Sequence, residues 1–245
     1  MEIKILYLYY DFMNLYGENG NIRVLERHLH EQGLVVTVDK KSIGDDIKFS
    51  EYAFIYAGSG TERNQKIALA DLCRYKEQIK TAAQNGTIFL FTGNAFEMLG
   101  KSITAGNGTV HNGIAVSDFT TIEHSDIRYT GDVICSFDQL EKPMVGFINK
   151  CSEIAGVSQA LFQVAMGPGN AESDKQEGWR YQNVFGTHLI GPILVKNPHF
   201  MTYMIKLIGS TLQNFEYKPL PYPYEESAYQ VTLSALQKRL EKQSE

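Results

Sequence analysis

The first hundred residues alternate short apolar runs with longer stretches in which apolar residues recur every three or four positions. The short runs predict strands, and the longer spacing predicts helices. The predicted strands lie at 2–10, 34–40, 51–58 and 87–93, and the predicted helices at 19–33 and 62–85. Because strands alternate with helices, the pattern favours an α/β fold with a doubly wound, mostly parallel sheet flanked by helices.

From about residue 103 the apolar runs become shorter and are separated by glycine and asparagine turns. Residues 103–113 predict a hairpin, and residues 167–179 predict an exposed loop rich in turns. Asn197 and Pro198 have the residue types of a helix cap and first turn. Added strands are predicted at 114–124, 129–137, 143–150, 160–167 and 179–192.

The end of the chain has a different character. Residues 219–245 begin with a proline-rich linker and continue as an amphipathic helix. We expect residues 1–218 to form one α/β domain and this last helix to pack on that domain or on a partner.

Composition and charge narrow the range of functions. The chain has 245 residues, is 43% hydrophobic and carries a formal net charge of −5, so it can bury a full core and is not a typical nucleic-acid-binding protein. No apolar run approaches the roughly 20 residues that span a bilayer, and the N-terminus lacks the features of a signal peptide. We therefore expect a cytoplasmic protein that does not insert into membranes.

The three cysteines are Cys73, Cys135 and Cys151. Their odd number and wide spacing fit reduced thiols better than a disulfide framework or a zinc site. We expect no metal and no cofactor.

Two segments end predicted strands at the edge where ligands collect in parallel sheets. The first is GSGTERNQ (58–65), a glycine turn whose Gly58 and Gly60 precede a helix and offer backbone N–H groups to an anion. The second is FLFTGNAFEMLG (89–100), which has the strand–turn–helix pattern of a nucleophile elbow. Either segment can equally be a plain connection with no chemistry.

Few side chains in the sequence suggest catalysis by themselves. His188 is the only histidine expected near this edge, and a lone histidine on a strand is more often a hydrogen-bonded structural residue. Arg128 precedes a strand and can equally be an ordinary surface charge.

Several segments, in order along nearly the whole chain, resemble the glutaminase subunit of bacterial lipid II isoglutaminyl synthase and the similar amidotransferase domains of cobyric acid synthase. These segments are NLYGENGNI (14–22), GSGTERNQ (58–65), AFEMLGKSIT (95–104), RYTGDV (128–133), GFINK (146–150) and FGTHLIGPILVKN (185–197). The resemblance implies a class I glutamine amidotransferase fold, which is flavodoxin-like.

In that family an elbow cysteine attacks glutamine, a histidine on a late strand acts as its base, and the ammonia passes to a synthetase. The family elbow reads Cys-Gly-Gly-Tyr-Gln-Phe-Leu-Gly and the late strand reads Gly-Thr-Tyr-Leu-His-Gly-Pro. Gly93 therefore stands at the cysteine and Ile190 at the histidine. Glu97 replaces the family's glutamine, and GFINK replaces Gly-Phe-Glu-Asn-His. The resemblance also implies that Arg128 helps to hold glutamine.

Because neither glycine nor isoleucine can supply the missing chemistry, the favoured interpretation is an inactive subunit. It would act as scaffold or regulator in a heterodimer with a Mur-ligase-like synthetase that amidates a peptidoglycan precursor. A second interpretation is a working glutaminase with a relocated nucleophile, for which Cys151 is the candidate. A third is a module that binds glutamine or a related amino acid through Arg128 and the GSGTERNQ turn.

Overall fold

The structure is a computed structural model that describes residues 1–244. Strands are numbered β1 to β14 and helices α1 to α6 in chain order. The strands of the central sheet are β1 (Glu2–Leu8), β2 (Val35–Lys41), β3 (Phe54–Ala57), β4 (Ile88–Thr92), β13 (Trp179–Tyr181) and β14 (Val184–Thr187). They lie in the order β13-β14-β4-β3-β1-β2. All neighbours are parallel except β13, which is antiparallel to β14.

Helices cover both faces of this sheet. They are α1 (Asn19–Glu31), α2 (Glu62–Leu72), α3 (Lys76–Gln84), α4 (Ile193–Lys196), α5 (Pro198–Gly209) and α6 (Pro223–Ser244). Side chains of α1, α4 and α5 share one apolar cluster with Ile3 and Ile5 of β1. Side chains of α2 and α3 share the opposite cluster with Leu6 and Leu8 of the same strand. The predicted doubly wound α/β fold is confirmed.

The second half of the chain adds strands, as predicted, and most of them form two four-stranded sheets. One contains β5 (Ser102–Thr104), β6 (Val110–Asn112), β7 (Thr120–Glu123) and β10 (Ser152–Ala155) in the order β10-β7-β5-β6. The other contains β8 (Tyr129–Ser136), β9 (Met144–Lys150), β11 (Phe162–Met166) and β12 (Gln176–Glu177) in the order β12-β11-β8-β9. The predicted hairpin is the antiparallel pair β5 and β6.

Two predicted helical segments differ from the structure. The helix predicted at 62–85 is broken into α2 and α3 by a 3₁₀ turn at Cys73–Tyr75. At the break, the buried Tyr75 leaves helical geometry with φ −108° and ψ 11°, and its hydroxyl donates a hydrogen bond to the Asp45 carbonyl at 2.6 Å. The helix expected after β4 is a buried 3₁₀ segment at Gly93–Leu99 instead.

The C-terminal helix α6 begins at Pro223, inside the segment predicted to be a linker. Its Tyr229, Leu233 and Leu236 are buried against the sheet that contains β8 and β9. The division of the chain after residue 218 stays a prediction. Across residues 1–244, no helix is both long enough and apolar enough to span a membrane.

Candidate functional site

The candidate site begins at the bend after β4. Gly93 has φ +58°, a left-handed conformation that glycine adopts without the steric penalty of a side chain. The preceding residue, Thr92, is buried at the carboxyl end of the parallel strands. This sharp bend has the geometry that lifts a nucleophile off the sheet in α/β enzymes.

Residue 190 lies beside this bend. An ideal Cβ built on Gly93 would be 3.1 Å from Cγ2 of Ile190. Ile190 is held by a bridge to β9, in which its N–H donates to the Phe147 carbonyl at 2.9 Å. Residues 93 and 190 are therefore neighbours in the fold, as a nucleophile and its base would be.

The space above Gly93 is already filled. The same ideal Cβ would lie 2.4 Å from both Cβ and Oγ of Ser59. Such distances are overlaps, so any larger residue at position 93 requires Ser59 to move.

A backbone donor of the glycine turn is also occupied. Gly60 donates its N–H to Oδ1 of Asn94 at 2.9 Å, and the Asn94 amide donates back to the Gly60 carbonyl at 2.9 Å. An oxyanion hole needs backbone N–H groups that point at the reacting oxygen. Because the Asn94 side chain accepts this N–H, the Gly60 donor is not free for such a role.

Gly58 and Gly60 have a packing reason to be glycine. A Cβ on Gly58 would lie 2.7 Å from the Met13 carbonyl oxygen, and one on Gly60 would lie 2.5 Å from Sδ of Met13. Their contact is with the segment that precedes α1. Their predicted part in substrate binding stays a prediction.

A pocket of about 140 Å³ lies next to the bend. The guanidinium of Arg128 stands in its wall and donates to Oε1 of Glu62 at 2.5 Å and to Oδ1 of Asn149 at 2.9 Å. The full lining is Leu15, Tyr16, Ser59, Gly60, Thr61, Glu62, Asn94, Glu97, Glu123, Arg128, Asn149, Lys150 and Cys151. The structure thus brings Arg128 and the GSGTERNQ turn to one pocket.

Cys151 also lines this pocket, but its surroundings do not activate it. Burial and then the Glu62 carboxylate raise the pKa of the Cys151 thiol to about 12. Its Sγ is 3.5 Å from Oε1 of Glu62. A reactive cysteine needs a lowered pKa and a positive environment.

Among residues 1–244, no group of three or more His, Cys, Asp or Glu side chains could hold a metal ion.

A buried cluster of titratable side chains adjoins the pocket and includes Glu97 of its lining, and sequence reasoning did not find it. Nε2 of His188 is 3.2 Å from Oε1 of Glu97, and the backbone N–H of His188 donates to Oε1 of Glu177 at 2.7 Å. Burial opposes ionisation of Glu97, but hydrogen bonding and the charge of His188 outweigh it and hold its pKa below the usual value. His188 is therefore a buried, paired residue and not a base for position 93.

The cluster coincides with departures from the family pattern. Glu97 stands where the family has glutamine, His188 where it has tyrosine, and Lys150 where it has histidine. Lys150 is buried and donates to the Asn170 carbonyl at 2.8 Å, and burial lowers its pKa to about 8. Positions 97 and 188, which both depart from the family pattern, are in contact in the fold.

A second buried carboxyl, Glu18, lies next to the end of β4. It accepts hydrogen bonds from the Tyr56 hydroxyl at 2.5 Å and from the Thr92 hydroxyl. Burial raises the pKa of Glu18 to about 7 although these hydrogen bonds act against the shift. Glu18 belongs to NLYGENGNI, but the motif gave no sign that this carboxyl is fully buried.

The parallel sheet, the bend after β4 and the neighbouring late-strand residue define a class I glutamine amidotransferase-like protein. A family model for the CobB/CobQ-like glutamine amidotransferase domain matches residues 4–198. The chain belongs to that family, which confirms the resemblance found in the sequence.

Two curated relatives are subunits of one kind of enzyme. The chain is 32% identical over 205 residues to the lipid II isoglutaminyl synthase (glutamine-hydrolyzing) subunit GatD of Staphylococcus aureus (strain N315), which covers 84% of each chain. It is 33% identical over 198 residues to the subunit of the same name from Streptococcus pneumoniae (strain ATCC BAA-255 / R6), which covers 80% of this chain and 76% of the relative.

Solved structures agree on the fold. A chain in the structure of PurLQS from Thermotoga maritima superposes with a TM-score of 0.54 at 13% identity, covering 88% of this chain and 99% of that one. A crystal structure of a glutamine amidotransferase superposes with a TM-score of 0.54 at 12% identity, covering 83% of this chain and 98% of that one.

Proposed function

We propose that this chain is the amidotransferase-like subunit of a lipid II isoglutaminyl synthase-type complex and that it has lost glutaminase activity. In this proposal it acts as scaffold or regulator of a Mur-ligase-like partner that amidates a peptidoglycan precursor. The observation that carries the proposal is the arrangement at the bend. Gly93 and Ile190 are neighbours there, and Ser59 fills the space that a nucleophile would need.

The chemistry of glutamine hydrolysis gives this arrangement its meaning. Attack on the amide requires a nucleophile, a group that moves a proton, and donors that stabilise the oxyanion. Gly93 carries no side chain, Ile190 carries no titratable group, and the Gly60 N–H is bonded to Asn94. The nucleophile and the proton-moving group are therefore missing at these positions, and one candidate oxyanion donor is occupied.

The extent of the match supports the role of a subunit. Both GatD relatives are named as subunits of a synthase, and the aligned region covers more than three quarters of this chain and of each relative. The proposal of a Mur-ligase-like partner is supported by likeness to these subunits over most of the chain and not by a motif in one loop. The partner would use free ammonia or carry out different chemistry.

A working glutaminase with a relocated nucleophile is the second candidate. Cys151 lines the pocket, which favours it, but its raised pKa keeps the thiol protonated and its polar neighbour is a carboxylate. An amino-acid-binding module is the third candidate, favoured by the position of Arg128 in the pocket wall.

The test is glutamate release from glutamine by the chain co-expressed and co-purified with its Mur-ligase-like neighbour. We expect the two proteins to purify together and glutamate to form at the rate of the buffer alone. Turnover in the wild type that disappears in Cys151→Ala would instead establish the relocated nucleophile. Failure of the two proteins to associate would count against the partner role.

A further inference from the structure

Arg128 is the exposed cation of the pocket. Its side chain is 44% exposed. The other cation of the lining, Lys150, is only 4% exposed, and its ammonium group donates to the Asn170 carbonyl. A ligand with a negative charge would therefore meet the guanidinium of Arg128.

The chain itself supplies a carboxylate to that guanidinium. Nη2 of Arg128 donates to Oε1 of Glu62 at 2.5 Å, while Nη1 donates to Asn149 at 2.9 Å. The Asn149 amide is fixed in turn by donating to the Tyr16 hydroxyl at 3.0 Å. Both Glu62 and Arg128 line this pocket and the neighbouring outer pocket of about 410 Å³, so their ion pair stands between the two spaces.

We propose that Glu62 is an internal ligand of Arg128, which occupies the guanidinium in place of the carboxylate of a small amino-acid-like molecule. This inference rests on the proposed function, because it takes the pocket for the remnant of a glutamine site. The test of this inference measures ligand binding, whereas the test of the proposed function measures glutamine turnover. Either proposal can therefore fail without the other.

The contact has the properties of an exchangeable one. Both side chains are about two-fifths exposed, and exposed ion pairs stabilise a fold by only about 0–1 kcal/mol. A single Glu62 oxygen faces one guanidinium nitrogen. A free carboxylate can instead form the paired, two-oxygen contact that makes arginine–carboxylate recognition strong. Such a ligand would displace Glu62 from Arg128, because only a weak ion pair is lost when it binds.

Glu62 can lose its charge without loss of the fold. It is the first residue of α2, and the cap of that helix is the Thr61 hydroxyl, which accepts from the Asn64 N–H at 3.1 Å. Glu62→Gln keeps the shape and the cap, and removes only a favourable charge at the helix start, an effect of about 0.3–1 kcal/mol.

The experiment is calorimetric titration of the full chain with L-glutamine, and with L-glutaminol as the analogue that lacks the carboxylate. We expect Glu62→Gln to bind L-glutamine up to about fivefold more tightly than the wild type, a gain of up to about 1 kcal/mol. The gain should be absent for L-glutaminol and should disappear in the double variant Glu62→Gln with Arg128→Gln.

Asp126→Asn is the matched control, because Asp126 lines the outer pocket and the substitution makes the same change in charge. An equal gain in Asp126→Asn would mean a general electrostatic effect and would overturn the proposal. Unchanged or undetectable binding in Glu62→Gln would also overturn it. If that variant does not fold, Glu62→Ala provides the same comparison.

Discussion

Two buried carboxyl groups near the bend respond to their surroundings in opposite ways. Glu18 is surrounded by hydroxyl groups and strand backbone, so burial dominates and its pKa rises to about 7. Glu97 is equally buried but is paired with His188, and its pKa lies below the usual value. Burial alone therefore does not decide which form of a carboxyl the fold prefers; the hydrogen bonds and charges of its partners contribute as well.

The pH dependence of stability should show the Glu18 effect. Because its pKa rises from 4.5 to about 7 on folding, the folded state binds more protons between these values. The unfolding free energy then falls as pH increases through this window and levels off above it, by up to about 3 kcal/mol. The unfolding free energy of Glu18→Gln relative to that of the wild type should therefore increase by up to this amount as the pH rises from about 5 to about 8. Urea unfolding of both proteins measures this difference.

Glu97→Gln provides the opposite comparison. A carboxyl with a lowered pKa stabilises the folded state above its unfolded pKa, and this stabilisation is lost as the pH falls through its folded pKa. Glu97→Gln removes the carboxylate from its contact with His188, which then keeps only the Glu177 carboxylate, so this variant should be less stable than the wild type at neutral pH. For Glu18, a difference in unfolding free energy between Glu18→Gln and the wild type that stays constant over the pH range would contradict the predicted pH dependence.

At the scale of elements, α6 completes the cover over one added sheet. Its buried side chains meet Ile134, Val145 and Met166, three apolar residues of that sheet. The Tyr229 hydroxyl also donates to the Pro143 carbonyl at 2.8 Å. Packing on the chain's own sheet is one of the two alternatives that the sequence left open, and the opposite face of α6 remains exposed at Val231.

Two alanine substitutions on α6 should distinguish its buried face from its exposed face. Leu233→Ala should lower the unfolding free energy by about 2–4 kcal/mol, because it removes buried methyl groups and leaves a cavity. Val231→Ala, at a position 68% exposed, should change it by less than about 0.5 kcal/mol. Urea unfolding of the two variants makes the comparison. Equal effects would mean that α6 does not pack on the sheet in solution.

At the scale of the whole molecule, the fold brings three distant segments to one point. Ser59 follows β3, Gly93 follows β4 and Ile190 follows β14, and these strands are neighbours in the sheet. The fold therefore brings together the three positions on which the proposed loss of activity rests.

A cysteine at position 93 and a histidine at position 190 should give activity only if the overlap with Ser59 is removed first. The variant Gly93→Cys with Ile190→His should stay inactive, because Ser59 overlaps the new side chain. Adding Ser59→Gly and Asn94→Gly removes the overlap and frees the Gly60 N–H, so glutamate release should rise by roughly 10²-fold over the two-residue variant. Full activity in the two-residue variant would contradict the argument from space, provided that both variants fold.

The sequence predicted the fold well because local patterns decide it. Periodic apolar positions marked nearly every strand and helix, and their alternation marked the parallel sheet. The break between α2 and α3 was missed because Tyr75 is held by Asp45, which is 30 residues earlier and on another element. No periodicity records such a contact.

The site was predicted only in part. Positions 93 and 190 were paired through family resemblance, since 97 residues of chain separate them. The overlap with Ser59 and the bond from Gly60 to Asn94 depend on distances of a few ångströms, which a sequence does not contain. The contact of Glu97 with His188 joins residues 91 positions apart.

The left-handed backbone at Gly93 has a further consequence. An L-residue in that conformation is disfavoured by roughly 1–2 kcal/mol, and enzymes that keep a nucleophile there accept this strain for the sake of activity. With glycine at the bend the strain is relieved. If the proposed loss of activity holds, the chain is free of this trade-off and is unfolded for a smaller fraction of the time, and a shift of this size is enough to change protein abundance in a cell several-fold.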